Sequence, residues 1–247
     1  MKKIYLVLFL ICFGTSIQAQ KNIINLIVGT YTNTCESKGI YVYEFNTKKA
    51  QIRLKKRSDS IVNPSYVTLS KNNKFMYAVI ENGNDSKVSS FDFDSESGRM
   101  TAINTVDSKG ADPCYIINDE KNVIVANYSG GTISVFGKKD DGGLTEAKQV
   151  IQHQGKGANA DRQEKAHVHM VYFSPDKKYV LSNDLGTDKV YSYNYNPTNS
   201  EPLTIKDSVS VTPGSGPRHL IFSKNGKYVY LLNELDCSLM SFKYLDG

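Results

Sequence analysis

Asn63-Pro64-Ser65-Tyr66-Val67-Thr68-Leu69-Ser70 returns three more times along this chain, each time altered. Its counterparts are Asp112-Pro113-Cys114-Tyr115-Ile116-Ile117-Asn118-Asp119, His167-Val168-His169-Met170-Val171-Tyr172-Phe173-Ser174 and Gly216-Pro217-Arg218-His219-Leu220-Ile221-Phe222-Ser223. Aligned on Pro64, Pro113, Val168 and Pro217, the copies are 49, 55 and 49 residues apart. After each copy come a polar turn and a second apolar run: Phe75–Ile80, Val123–Ala126, Tyr179–Leu181 and Tyr228–Leu232. A third run follows in Val88–Phe93, Thr132–Phe136, Lys189–Tyr195 and Ser238–Tyr244. The first three units add a fourth in Met100–Val106, Leu144–Gln149 and Leu203–Val211.

These runs alternate, as in Val88-Ser89-Ser90-Phe91-Asp92-Phe93, and are rich in Val, Ile, Tyr and Phe. A period of two with such residues predicts strands. The turns carry Asn72-Asn73, Asp176-Lys177-Lys178 and Asn225-Gly226, which suit hairpins. No stretch holds a 3.6-residue period over three turns. Four antiparallel strands repeating every fifty or so residues predict an all-β chain built of β-propeller blades. A set of sandwich domains is the alternative, but a sandwich needs no self-similarity at this period. The opening strands, Ile23–Thr30, Ile40–Phe45 and Ile52–Lys56, read as outer strands of a blade.

The chain has 247 residues, of which 40% are hydrophobic and 22% charged, and its net charge is +5. Sixteen Tyr and ten Phe exclude a disordered tail. The basic residues are dispersed, so no nucleic-acid surface is expected. Lys2 and Lys3, an apolar run from Ile4 to Phe13 and a small-residue exit ending at Ala19 read as a signal peptide over 1–19. The run is too short to span a bilayer comfortably. An exported chain with no membrane attachment after cleavage is therefore expected, with the propeller over 20–247. At about 51 residues per unit this leaves room for four to five blades. The last unit ends after its third strand, so the ring is expected not to close.

Cys35, Cys114 and Cys237 show no metal-ligand spacing and read as small, mostly buried thiols. Loops at one end of a propeller converge on the central channel, so residues next to the innermost strands share one cavity. His167 and His169 stand there on one face of an extended segment, and Arg218-His219 holds the equivalent place one unit later. Hairpin geometry predicts that Glu234, at the end of the following strand, comes back beside Arg218. Such a pair reads either as a structural ion pair or as an anion-holding cation next to a carboxylate base. Asn127-Tyr128-Ser129-Gly130-Gly131-Thr132 and Asp184-Leu185-Gly186-Thr187-Asp188 end second strands in the two preceding units, in a place that reads as equivalent to that of Glu234. His153, in the polar loop 152–163, has no such setting. No nucleophile elbow or phosphate loop is present.

An ordered set of motifs resembles the lactonase family of seven-bladed propellers, of 6-phosphogluconolactonase type, a family related to muconate cycloisomerases. The set begins with Val28-Gly29-Thr30-Tyr31-Thr32, Gly39-Ile40-Tyr41-Val42-Tyr43 and Asn63-Pro64-Ser65-Tyr66. It continues with Ala126-Asn127-Tyr128-Ser129-Gly130-Gly131, His167-Val168-His169 and Asp184-Leu185-Gly186-Thr187-Asp188, and ends with Gly216-Pro217-Arg218-His219 and Asn233-Glu234-Leu235. The resemblance implies hydrolysis of a sugar lactone, with no cofactor or metal. It implies catalytic roles for His169, Arg218 and Glu234, and substrate contacts from His167, His219, Asn127 and Asn233. His169 or Glu234 would deprotonate the attacking water, and Arg218 would stabilise the oxyanion or hold a substrate anion. The family has a proline before the His-x-His pair where this chain has Ala166, and it continues for two to three more blades. A fragment or interrupted frame of a longer enzyme is accordingly expected. The runners-up are a propeller that binds a glycan or protein without catalysis and a lactone-forming cycloisomerase acting on a polycarboxylate.

Overall fold

A computed structural model describes residues 22–245, so the signal-peptide reading of 1–19 lies outside the described residues. Eighteen strands form five antiparallel sheets. The first holds β1 (Ile23–Val28), β2 (Tyr41–Asn46) and β3 (Gln51–Arg57). The second holds β4 (Val67–Leu69), β5 (Phe75–Ile80), β6 (Lys87–Phe93) and β7 (Met100–Asp107). The third holds β8 (Pro113–Asn118), β9 (Asn122–Asn127), β10 (Thr132–Lys138) and β11 (Leu144–Gln152). The fourth holds β12 (Val168–Phe173), β13 (Tyr179–Asp184), β14 (Lys189–Tyr195) and β15 (Leu203–Ser210). The fifth holds β16 (Pro217–Phe222), β17 (Tyr228–Asn233) and β18 (Leu239–Lys243).

Strand order follows chain order in every sheet, the up-and-down meander of a propeller blade. The expected all-β propeller is what the chain forms, and independent sandwich domains are excluded. Among the described residues no strand pairing joins the first sheet to the fifth, so the ring is not closed by hydrogen bonds. No helix among the described residues is long and apolar enough to cross a membrane.

One turn chemistry recurs between the first two strands of a blade. Ser70, Ser174 and Ser223 donate their hydroxyls to Asn72, Asp176 and Asn225 and accept the amide protons of Phe75, Tyr179 and Tyr228. Asn73, Lys177 and Gly226 take the left-handed conformation that the tight reversal requires.

Blades cohere by apolar face against apolar face. Ile40 and Val42 of the first sheet pack with Met76, Ala78, Phe91 and Phe93 of the second. Tyr77, Val79 and Val88 of the second pack with Val123, Val125 and Phe136 of the third. The largest cluster runs from Ile124 and Val135 through Val168 and Val180 to Leu220 and Leu231, and so binds the last three sheets together. The first and fifth sheets each also turn apolar side chains outward, Ile24 and Leu26 on one and Ile221, Tyr230 and Leu232 on the other.

The cysteines depart from the sequence reading. Cys35 and Cys237 are exposed and Cys114 is half-buried, because the first two lie on loops rather than strands. All three are free.

Phe136 is fully buried in the second interface. Phe136→Ala is expected to lower unfolding free energy by about 3–5 kcal/mol, read from urea denaturation. A loss below about 1 kcal/mol would show that blades stack without needing this contact.

Candidate active site

The inner strand of each of the last three sheets is one residue too long for its neighbour. β8, β12 and β16 slip register between Pro113 and Tyr115, Val168 and Met170, and Pro217 and His219. The extra residues are Cys114, His169 and Arg218, and a bulge of this kind re-aims its side chain. Each bulge is locked by a main-chain bond from the residue after the second strand to the residue before the first. Tyr128 donates to Asp112, Leu185 to His167 and Glu234 to Gly216, at 2.8–2.9 Å. Glu81 donates to Asn63 at the same place in the second sheet, at 3.1 Å. One cavity of about 380 Å³ is lined by the products of this repeat: Ser65, Cys114, His169 and Arg218, with Glu81, Tyr128 and Glu234. Tyr66 and His219 add an aromatic wall backed by the buried Tyr115, and the His169 and His219 rings meet edge to face at 5.2 Å.

Glu234 is held at both oxygens. Arg218 Nε donates to Oε2 at 2.8 Å, and Arg162 Nη2 donates to Oε1 at 2.6 Å. Arg162 also donates to the Tyr128 hydroxyl at 3.2 Å. Burial alone would raise the Glu234 carboxyl, but the bond and charge of Arg162 and the charge of Arg218 outweigh it and hold it below the usual range. Burial pushes the His169 imidazole down to about 3, helped by the charges of Arg218 and His219. His219 is lowered for the same reasons, burial first and Arg218 second. Both rings are therefore neutral near pH 7. Burial pushes the Cys114 thiol up, and its Sγ donates to the His169 carbonyl at 3.3 Å. It supports the neighbouring bulge and is not a ready thiolate.

Arg162 comes from the loop between β11 and β12, and that loop is pinned from below. Gln163, fully buried, donates to the Leu185 carbonyl and to Asp188 Oδ1 and accepts from the Asn159 amide. Asp188 also accepts from Gly214 and Gly216, so one carboxylate fixes the loops that present Arg162 and Arg218. His153 bonds Asp184 at 2.9 Å and the Tyr193 hydroxyl at 2.7 Å. Asp184 in turn accepts from the amides of His167 and Gly186. Gly186 is required here, because a Cβ would fall 1.9 Å from the Lys165 carbonyl oxygen.

A family model described as "Lactonase, 7-bladed beta-propeller" matches residues 25–247. The chain belongs to this lactonase family. It is 36% identical over 219 residues to a 6-phosphogluconolactonase of Bacillus subtilis, covering 88% of this chain and 61% of that one. A crystal structure of a putative 6-phosphogluconolactonase from Bacteroides fragilis superposes with a TM-score of 0.89 at 42% identity, covering 92% of this chain and 65% of that one. The Pseudomonas aeruginosa periplasmic gluconolactonase gives a TM-score of 0.82 at 35% identity, covering 91% and 65%. The chain thus spans under two thirds of the length of these relatives.

In this lactonase-family chain, His169, Arg218, Glu234 and His219 meet in the cavity. His167, Asn127 and Asn233 do not line it. His167 lies beneath, stacked on Tyr128 and bonded to the Tyr128 carbonyl and to Glu164. Asn127 is fully buried and donates to Thr132, Ser134 and the Ser108 carbonyl. Asn233 donates to Ser238. Within the stretches Asn127–Thr132 and Asp184–Asp188, the counterparts of Glu234 are Tyr128 and Leu185, each the residue after its second strand. His153, read as lacking a setting, is a buried pin. Arg162, Tyr128 and Glu81 line the cavity without having been singled out. Among the described residues no three His, Cys, Asp or Glu side chains converge as metal ligands.

A larger cleft of about 510 Å³ lies among hairpin turns near Tyr172, Phe173 and Phe222. Its carboxylates are already engaged, Asp119 by Tyr195 and Glu120 by Lys71 and Lys177.

Gln163→Ala is expected to cost about 1–3 kcal/mol of stability, since it orphans buried partners, and to release Arg162 from Glu234. Unfolding by urea and the rate of guanidinium modification at Arg162 check both. Unchanged values would show that the loop holds itself.

Proposed function

We propose that the cavity hydrolyses a sugar lactone of the 6-phosphogluconolactone type to its aldonic acid. The observation that carries this is one cavity joining a neutral imidazole, His169, to an arginine, Arg218, whose only side-chain hydrogen bond among the described residues is made through Nε. The identity to named 6-phosphogluconolactonases supports the same reading.

A lactone carbonyl is attacked by water, so the site must take a proton, bear an oxyanion and release an alkoxide. The oxygens of Glu234 are already engaged by two arginines, which makes it a poor base. His169 Nδ1 is buried with no hydrogen-bond partner among the described residues, so Nε2 is the nitrogen that can meet a water. In this reading His169 Nε2 accepts the proton as the water oxygen bonds to the carbonyl carbon. The Arg218 Nη groups stabilise the oxyanion. The tetrahedral intermediate then expels the ring oxygen, which takes the proton back from His169. The product is an open hydroxy acid, which ionises and releases one proton to solvent. Glu234 holds Arg218 in place, and Arg162 offers a second cation for a phosphate or carboxylate on the substrate.

Export is part of the proposal, supported by the Lys2-Lys3 start, the short apolar run and the exit at Ala19. Fractionation of expressing cells is expected to recover the chain outside the cytoplasm, shortened at about residue 19. Recovery of full-length chain in the cytoplasm would refute this.

Lactone opening can be followed by pH-stat with 6-phosphogluconolactone and with D-glucono-δ-lactone. Arg218→Met is expected to lower kcat/KM by about 10²–10³-fold, and an equal rate would remove Arg218 from the mechanism. His169 loses its proton as pH rises past about 3, so the imidazole is unprotonated, though weakly basic, throughout neutral pH. The acid limb of kcat/KM should therefore lie below about pH 5, not near the ordinary histidine value of about 6.5. A limb near that ordinary value would rule out the neutral His169 described here.

A further inference from the structure

Glu81 stands as far beyond Pro64 as Glu234 stands beyond Pro217, and it makes the same main-chain bond. The two glutamates are nevertheless held differently. Ser65 and Tyr31 both donate to one oxygen of Glu81, Oε2, at 2.6 and 2.8 Å. Oε1 has no hydrogen-bond partner among the described residues, is not sealed off from solvent, and belongs to a side chain that lines the cavity. Among the described residues no arginine forms an ion pair with Glu81. The Cys114 thiol, which lines the same cavity, feels the charges of both Glu81 and Arg218. The cavity therefore carries both signs: two arginines against one carboxylate at Arg162, Arg218 and Glu234, and a carboxylate without an arginine at Glu81.

The carboxylate is also rigidly presented. Asn63 accepts the Glu81 amide proton at its carbonyl and donates its side-chain Nδ2 to the Glu81 carbonyl at 2.9 Å. The Asn63 Oδ1 meanwhile accepts from the amides of Thr32 and Asn33, which fixes the loop carrying Tyr31. Burial raises the Tyr31 hydroxyl, and its bond to Glu81 adds to this, so it stays a donor. A carboxylate with one oxygen saturated and the other open, in a fixed orientation, is a receptor for hydroxyl groups. It accepts charge-assisted hydrogen bonds and repels phosphate or carboxylate.

We propose that Glu81 is a specificity-determining residue: its Oε1 accepts hydrogen bonds from the hydroxyl groups of a polyhydroxylated lactone. Its charge turns the substrate's anionic end towards Arg162 and Arg218. The proposal rests on the lactone-hydrolysis reading for its substrate class, but its binding test does not need turnover. A site built around a substrate hydroxyl discriminates strongly against the analogue that lacks it, because the protein group is then left unpaired.

The test uses the full chain and two pairs of compounds. The first pair is D-glucono-δ-lactone and δ-valerolactone, which lacks the hydroxyls, compared by kcat/KM. Glu81→Gln is expected to lower the preference for the hydroxylated lactone about tenfold, and Glu81→Leu more. Ser65→Ala, which leaves Oε2 to Tyr31 alone, is expected to lower it less. The second pair is D-gluconate and 5-hydroxypentanoate, compared by calorimetric binding, with melting temperature as the control for folding. A preference for gluconate that E81Q removes supports the assignment even if no lactone is turned over. In that case lactone hydrolysis fails and the hydroxyl site stands. Preferences that persist in both folded variants, or that the unsubstituted chain never shows, overturn the role of Glu81.

Discussion

Each inner strand of the last three sheets carries one residue more than its partner can match, and the cavity depends on that surplus. Regular pairing would send Cys114, His169 and Arg218 alternately to one blade face or the other, where neighbouring sheets pack. The bulge removes them from the alternation and turns them to the channel. The return bond from the residue after the second strand keeps the bulge from sliding along the strand. A slip of one residue would exchange core for channel throughout the blade. The apolar packing between blades and the polar cavity at their ends are therefore consequences of the same register.

Around that register the structure adds supports that act at a distance. Asp188 gathers Gln163, Gly214 and Gly216, so that one arginine from a loop and one from the bulge of β16 arrive at one carboxylate. Asp184 and His153 do the same for the backbone that leads into His169. Every side-chain polar atom of Asp184, Asp188, His153 and Gln163 has a partner, which is what makes such a network rigid. Beside it, His169 Nδ1 and the Oδ1 atoms of Asn127 and Asn233 have none among the described residues.

The sequence showed what repeats. Blade number, strand positions and the channel-facing places of His169, Arg218 and Glu234 follow from apolar alternation and from the spacing of Pro64, Pro113, Val168 and Pro217. Asn127 and Asn233, which the resemblance puts at the substrate, are the last residues of β9 and β17 and lie buried beside the cavity-lining Tyr128 and Glu234, since in a strand one residue reverses the face. Glu81 was legible in principle, since it keeps the spacing of Glu234, but its segment lacked an arginine to draw attention to it. Arg162 left no comparable trace. Its loop reads as polar surface, and the side chains that tie it down, Gln163 and His153, find their partners only once β13 and β14 are in place. The exposure of Cys35 and Cys237 likewise depends on loop placement, which composition does not encode.

Because each bulge is held by main-chain bonds, the side chain it carries has little part in holding the fold. Four positions related by the repeat already bear a hydroxyl, a thiol, an imidazole and a guanidinium in Ser65, Cys114, His169 and Arg218. The scaffold thus works as a ring of interchangeable sockets. Chemistry can be rewritten one blade at a time while the sheets beneath keep their sequence pattern, so relatives with near-identical backbones are free to differ in what they transform.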